Sequence, residues 1–393
     1  MAEFIVFATA DWNEPYWTNK QHTAKSFAEL GHKVLYIESV GLRSPKLSSK
    51  KDISRIINRL KSGIKTLLFG AVRKEANIWV LAPLLIPAAH RYPMIKRLNR
   101  WMLRWLIERH CHLNSFENTV IWTYHPYILD TIETLTYQQL VYHCVDDLSS
   151  IPGIDKDYFL QQENKLLALA DKVYVTTESL EKRCKEYQEN TEYLSNVVDF
   201  EHFSQALSPQ PLPEDIKHIP GPRIIYHGVL SDFKIDFSLL LQVTTANPDF
   251  SFVLLGDERE GQHNETLEKV KEQPNVYALG YKKYSDLPQY LAHMDVAILP
   301  SLMNEYTNFM FPMKYYEYLA AGIPVVSTAL KFTESVSNGL YIAHSSDEFS
   351  GLIKQAVING RLSLSQAKEF VGENTWKERT KKMLERIHLG VSN

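Results

Sequence analysis

Several things are scarce in this chain. Only three of its 393 residues are cysteine, Cys111, Cys144 and Cys184. So sparse and odd a set, without metal-like spacing, excludes a disulfide framework and suits a reducing cytosol. No apolar run reaches the length of a membrane span. The opening stretch MAEFIVFATADWNEPYW has no basic leader, and its apolar part is too short for a signal peptide. A cytoplasmic protein is therefore expected, at most peripheral at the inner face of a membrane. Net charge is nearly absent, at −3. No grouping of His, Cys, Asp and Glu has the spacing of metal ligands, so neither a metal nor a cofactor is expected.

What is present is ordinary for a globular protein: 45% apolar and 23% charged residues. The length is too great for one ordinary core and predicts two domains. EFIVFATA reads as a buried strand, TNKQHTAKSFAELGH as a helix ending at Gly31, and KVLYIES as the next strand. That βαβ opening predicts a parallel sheet. Further strands are expected in ANIWVLAP, NTVIWTYHP, QLVYHCVD and DKVYVTTES. The proline-rich stretch 204–222 reads as a linker. Beyond it the alternation restarts with strands RIIYHGVL, SFVLLGD, VYALGY, VAILPS and PVVST, separated by helices. The expected fold is α/β, with two doubly wound, Rossmann-like domains facing a cleft. The first spans 1–203 and the second 223–375, and a terminal helix over 376–393 packs back on the first. Ligands of such sheets sit at the carboxyl ends of the strands.

One stretch poses a question of chemistry. In MFPMKYYEYLAAGIPVVST a helix is expected to start at Pro312 and stop at Gly322. It carries Lys314 in its first turn, where a cation opposes the helix dipole, and Glu317 one turn further on. An anionic ligand, above all a phosphate, would justify a cation there.

This helix, with GVLSDFKIDFSLL, FVLLGD and NVYALGYKKYSDLPQYLAHMDVAILPS, resembles the nucleotide-sugar domain of GT-B glycosyltransferases. The likeness is to a bacterial subset that builds cell-surface polysaccharides, teichuronic-acid-type transferases among them. The resemblance implies transfer of a sugar from a nucleotide diphosphate, a UDP-sugar, to a hydroxyl of a lipid-linked or cell-surface glycan, without a metal. It leaves two alternatives: a nucleotide-sugar epimerase of the same fold, or an inactive protein that only binds. By the same resemblance Glu317 accepts hydrogen bonds from the ribose hydroxyls. Lys234, in the turn after Gly228, neutralises the leaving diphosphate. Lys314 adds a second charge or contacts the sugar. Two family residues are absent. Val229 stands where many relatives have an arginine. Phe309 stands where the commoner retaining pattern has a first glutamate, a place Glu305 could fill.

Other candidates come from position. Asn304 and Thr307 can donate to sugar or phosphate oxygens, and Tyr281 or Tyr284 can support the base. His125 stands past a strand at its ligand-facing end and can hydrogen-bond a sugar or handle a proton; the resemblance implies that it lines the donor sugar. Asn19, Gln21 and His22 open the first helix and suit an acceptor. Asp146 and Asp147 can act on the acceptor hydroxyl or cap the next segment, with Asp147 taken as the catalytic candidate.

The small net charge hides an asymmetry. Residues 41–112 hold sixteen Lys/Arg against three Asp/Glu, a local excess of +13 that leaves −16 on the rest. The block includes KKDISRIINRLKSGIKTLLFG and RYPMIKRLNRWMLRWLIER, both with helical apolar spacing. An anionic membrane surface is the expected partner. Two ordinary helices packed on the sheet are the alternative. No nucleic-acid motif accompanies the block, so no nucleic acid is expected.

Overall fold

The computed structural model describes residues 1–39, 61–86, 92–258 and 262–387. The chain divides into two compact units. The first is Met1–Leu194 with the chain from Arg379 onward, and the second is Ser195–Glu378.

The first unit is built on strands β1 (Glu3–Phe7), β2 (Lys33–Ile37), β3 (Val72–Glu75), β4 (Ile78–Leu81), β5 (Thr119–Thr123), β6 (Gln139–Cys144), β7 (Lys172–Val175) and β8 (Thr191–Tyr193). Their order is β3-β4-β2-β1-β5-β6-β7-β8. Every pair is parallel except β3–β4. All five residues of β1 and all five of β5 are buried, as strands covered on both faces must be. β2 and β5 flank β1 on opposite sides, so the winding reverses between β1 and β5.

The second unit holds β9 (Arg223–His227), β10 (Ser251–Leu255), β11 (Val276–Ala278), β12 (Val296–Leu299), β13 (Val325–Thr328) and β14 (Leu340–Ala343). These form one parallel sheet in the order β11-β10-β9-β12-β13-β14. Its winding reverses between β9 and β12. Successive side chains point to opposite faces. Ile225, Val253, Ala297 and Val325 accordingly join one core with Tyr315 and Leu319, while Ile224, Phe252, Ile298 and Val326 join another with Leu240 and Ile353.

Three strands were not expected: β3, β8 and β14. All are short edge strands with weak burial patterns. The proline-rich stretch 204–222 does not behave as a tether. Ile216 and Ile219 within it are buried in the second unit's core, and the division between units falls after Leu194. Proline there shapes packed turns. The terminal helix expected over 376–393 is seen over Trp376–Glu385, after a separate helix Leu364–Val371 that ends at Gly372, whose φ is +54°. Within the first unit, the Tyr174 hydroxyl donates to the Met383 carbonyl at 2.7 Å, and Met383 and Ile387 enter the core.

Candidate functional site

In the second unit the strand ends at the reversal carry an unusual grouping. β9 closes at His227 and the chain turns at Gly228, with φ +113°. β10 is followed by Gly256, with φ +155°. The Gly228 N–H donates to the Leu255 carbonyl at 2.8 Å. A Cβ on Gly256 would stand 2.0 Å from the Gly228 oxygen, and one on Gly228 would stand 2.3 Å from Cε of Lys314. Both positions therefore demand glycine, for conformation and for space.

The helix of interest is Met313–Ala320. Pro312 is its cap, one residue before the first helical position, and not the first turn as expected. Gly322, with φ +75°, ends it, and the Ile323 N–H donates to the Tyr318 carbonyl at 2.9 Å. Lys314 reaches under Gly228, with Nζ 5.7 Å from the centre of the Tyr226 ring. Glu317 is buried one turn on, with Oε2 3.3 Å from Nε2 of His227. The alignment is too poor for a hydrogen bond, so the buried Nε2 has no partner. Burial pushes the Glu317 carboxyl up to about 7, against the pull of the Lys314 ammonium. Burial likewise lowers the Lys314 pKa, with Glu317 opposing. His227 is held well below its ordinary range by burial and by Lys314, and is neutral. The three side chains thus form a compact, poorly solvated group whose carboxyl titrates near neutral pH.

Lys234 lies on an aromatic shelf, with Nζ 4.7 Å from the Tyr306 ring centre and 5.5 Å from that of Phe233. Its carbonyl accepts from the Leu302 N–H at 2.9 Å, which joins the loop after β9 to the loop after β12. Asn304 strengthens that junction by donating from Nδ2 to the Phe233 carbonyl at 2.8 Å. The other end of Asn304 accepts from the Thr307 N–H at 3.0 Å, and the Thr307 hydroxyl donates to the Leu302 carbonyl at 2.5 Å. Thr307 is fully buried. Both residues therefore cap the short helix Glu305–Asn308. Phe309 is the residue that closes this helix. Glu305 is exposed at its start.

Tyr281 gives its backbone N–H to Asp257 Oδ1 at 3.3 Å. Tyr284 stacks on the His202 ring, with centroids 4.2 Å apart and planes 10° from parallel. Burial, and then the charge of Glu317, raise the Tyr284 phenol far above its usual range. Of the two tyrosines, Tyr284 is thus electrostatically linked to the Glu317 group.

In the first unit the expected acceptor residues make contacts that hold the fold. Thr18 and Gln21 form a capping box at the start of helix Asn19–Glu29. Gln21 accepts from the Thr18 N–H at 3.1 Å, donates to the Asp11 carbonyl at 3.1 Å, and is fully buried. Asn19 Oδ1 accepts from Arg379 at 2.8 Å, tying the terminal helix to this one. His22 is buried with its ring 5.4 Å from that of Trp17.

Asp147 caps the turn Leu148–Ser150. It is buried and accepts from the Ser149 hydroxyl at 2.6 Å, the Ser150 hydroxyl at 2.5 Å and Arg183 at 2.8 Å. Arg183 and these hydroxyls hold it below the usual carboxylate range despite burial. An ionised carboxylate so fully engaged has little capacity left to take a proton. Arg183 also donates to buried Glu163 at 3.1 Å, which accepts from the Tyr142 hydroxyl at 2.6 Å. Sequence spacing carried no signal for this network.

His125 does stand at the carboxyl end of β5, at the reversal of the first sheet. It is buried, with neither ring nitrogen hydrogen-bonded, and desolvation drives its pKa to about 3. A base so weak cannot hold a proton at neutral pH, but a neutral imidazole can exchange hydrogen bonds with a hydroxyl. His227 is the residue that sequence reasoning missed. Its signal was its place immediately before the glycine of the β9 turn. Among the described residues no group of three or more His, Cys, Asp or Glu could hold a metal ion.

Residues 221–359 match the family described as Glycosyl transferases group 1. Over 216 residues, 51% of this chain, the sequence is 26% identical to a protein of Bacillus subtilis (strain 168) named as a teichuronic acid biosynthesis glycosyltransferase, TuaH. The match spans about half the length of that relative, 53%. Among solved structures, sucrose-phosphate synthase from Thermosynechococcus elongatus superposes with a TM-score of 0.70 at 12% identity, covering 98% of both chains. A glycosyltransferase from Rickettsia africae ESF-5 gives 0.69 at 14% identity, covering 100% of this chain and 99% of that one. Anabaena Alr3699/HepE, solved in complex with UDP and glucose, gives 0.61 at 14% identity, covering 98% of this chain and 100% of that one. At such identities the likeness is one of fold, and the fold is GT-B.

Proposed function

We propose that this GT-B-fold protein, whose second unit carries a glycosyl transferases group 1 domain, moves a sugar from a UDP-sugar to a hydroxyl of a lipid-linked or cell-surface glycan. The observation that carries the reading is the Glu317–Lys314–His227 group set beneath Gly228 at the strand ends of the second unit. A buried carboxylate there offers acceptors to a vicinal diol, which offers two donors. Lys314 and Lys234 are cations for the diphosphate. Transfer breaks the bond between the anomeric carbon and the phosphate oxygen, and the electron pair leaves on the diphosphate. The acceptor oxygen forms the new bond and its proton passes to the departing diphosphate oxygen. Charge grows on the leaving group in the transition state, where a lysine held ready on an aromatic shelf contributes most. Lysines placed so can do this work without a metal. The teichuronic acid relative and the UDP complex of the Anabaena protein favour a polysaccharide acceptor and a uridine donor.

A thermal-shift series with UDP, GDP, ADP and CDP tests the donor half. UDP is expected to stabilise the protein, and Glu317→Gln to lose that shift. Indifference to all four nucleotides refutes the reading. Product formation from UDP-sugars in the presence of EDTA tests metal independence, and activity restored only by a divalent ion overturns it.

A further inference from the structure

The helix Pro93–Asn114 is apolar on two opposite faces. Asn99, Leu103, Leu106, Ile107 and His110 form its buried face. That face alone accounts for an amphipathic helix. At about 100° per residue, Met94, Leu98, Trp101 and Trp105 fall in a second stripe on the far side. They are exposed to 82%, 49%, 64% and 41%. Two tryptophans and a methionine in water on one stripe are not the scattered apolar residues of a normal surface.

The stripe is edged by cations. Arg97, Arg100 and Arg104 are exposed along one flank. On the other, the guanidinium of Arg109 lies 5.4 Å from the Trp105 ring centre and donates to the Leu67 carbonyl at 3.4 Å. That bond ties the helix to the helical residues 61–69, where Leu68 and Phe69 are also exposed, beside exposed Lys61 and Lys65. The nearby acids are engaged: Glu108 pairs with Arg104 and Asp130 with Lys96. Arg43, Lys46, Lys50, Lys51, Arg55, Arg59 and Arg91, further cations of this block, lie outside the described residues. Among the described residues no helix is long and apolar enough to cross a membrane.

We propose that this face rests on an anionic lipid bilayer, with the tryptophan stripe lying in the headgroup plane and the arginines beside acidic headgroups. A bilayer supplies an apolar layer and negative charge together. A second copy of the chain supplies only the first, because a symmetric contact brings the same arginines against each other. The proposal stands on the first unit alone and does not depend on the donor reading.

The test is flotation of the full chain with vesicles of phosphatidylcholine, alone or mixed with phosphatidylglycerol. Binding is expected to the mixed vesicles, and to weaken as salt rises. Arg97→Gln with Arg100→Gln should lower the partition coefficient about thirtyfold, at about 1 kcal/mol per cation. Trp101→Ser with Trp105→Ser should lower it at least about tenfold. Circular dichroism and melting matched to the parent show that the variants fold. UDP affinity measured alongside keeps the two readings apart, since its absence counts only against the donor site. No binding to mixed vesicles at low salt overturns the proposal. So does unchanged binding in both variants. A third overturning result is a parent that dimerises through the tryptophans and ignores vesicles.

Discussion

Replacing Glu317 with glutamine should change the pH dependence of stability in a direction that the burial of this carboxyl dictates. In the folded protein the carboxyl titrates at about 7 in place of its ordinary 4.5. Between those values the folded state keeps a proton that the unfolded chain has released. Stability therefore falls as pH rises through this window, and the loss is complete above about pH 7. Between about pH 5 and pH 8 the wild type should lose about 2.5 kcal/mol for this reason. Glutamine does not titrate and escapes the loss. The attraction of Lys314 for the ionised carboxylate is already contained in that value of about 7, so its loss in the variant does not reverse the direction. The telling quantity is thus the change with pH in the difference between the two melting temperatures. For a domain of this size it should move in the variant's favour by about 5–10 °C from pH 5 to pH 8. Differential scanning fluorimetry in matched buffers reads it directly, and a parallel set with UDP shows whether the nucleotide shift is lost. Melting curves that stay parallel across the range would refute the desolvated-acid argument. A full UDP shift retained by the variant would remove Glu317 from the ribose.

Other outcomes follow from the same reasoning. Lys234→Ala should lower kcat tenfold or more, on the order of 1.4 kcal/mol or greater, with a smaller change in KM; steady-state kinetics showing only a raised KM would reduce it to a binding residue. Asp147→Asn should cost about 3 kcal/mol of stability, because Arg183 loses a buried partner, while turnover per folded molecule stays near the parent's. A collapse of turnover at unchanged melting temperature would restore Asp147 to the chemistry. His125→Asn should gain on the wild type as pH falls. A histidine held at about 3 when folded and 6.5 when unfolded contributes stability that is present above 6.5 and lost below it, about 2 kcal/mol by pH 5. Identical acid slopes for variant and parent in chemical denaturation would show that His125 is solvated.

The central strands of both sheets were legible because burial on both faces writes a continuous apolar run into the sequence. The closeness of Lys314 to Glu317 was legible because a helix places residues three apart on one face. The edge strands β3, β8 and β14 were not, since a strand packed on fewer sides carries less pattern. Nor was the difference between a polar residue that meets a ligand and one that caps a helix. Asn19, Gln21, Asp147, Asn304 and Thr307 have the chemistry for either task. Their hydrogen-bond partners lie in other loops and helices, as Arg379 does for Asn19 and Phe233 for Asn304. What the sequence alone determined was the alternation of elements and the kinds of side chain at the strand ends. Tertiary structure decided which of those side chains were already spent, and it set Glu317 near neutrality, because desolvation and partner choice depend on atoms brought together from distant parts of the chain.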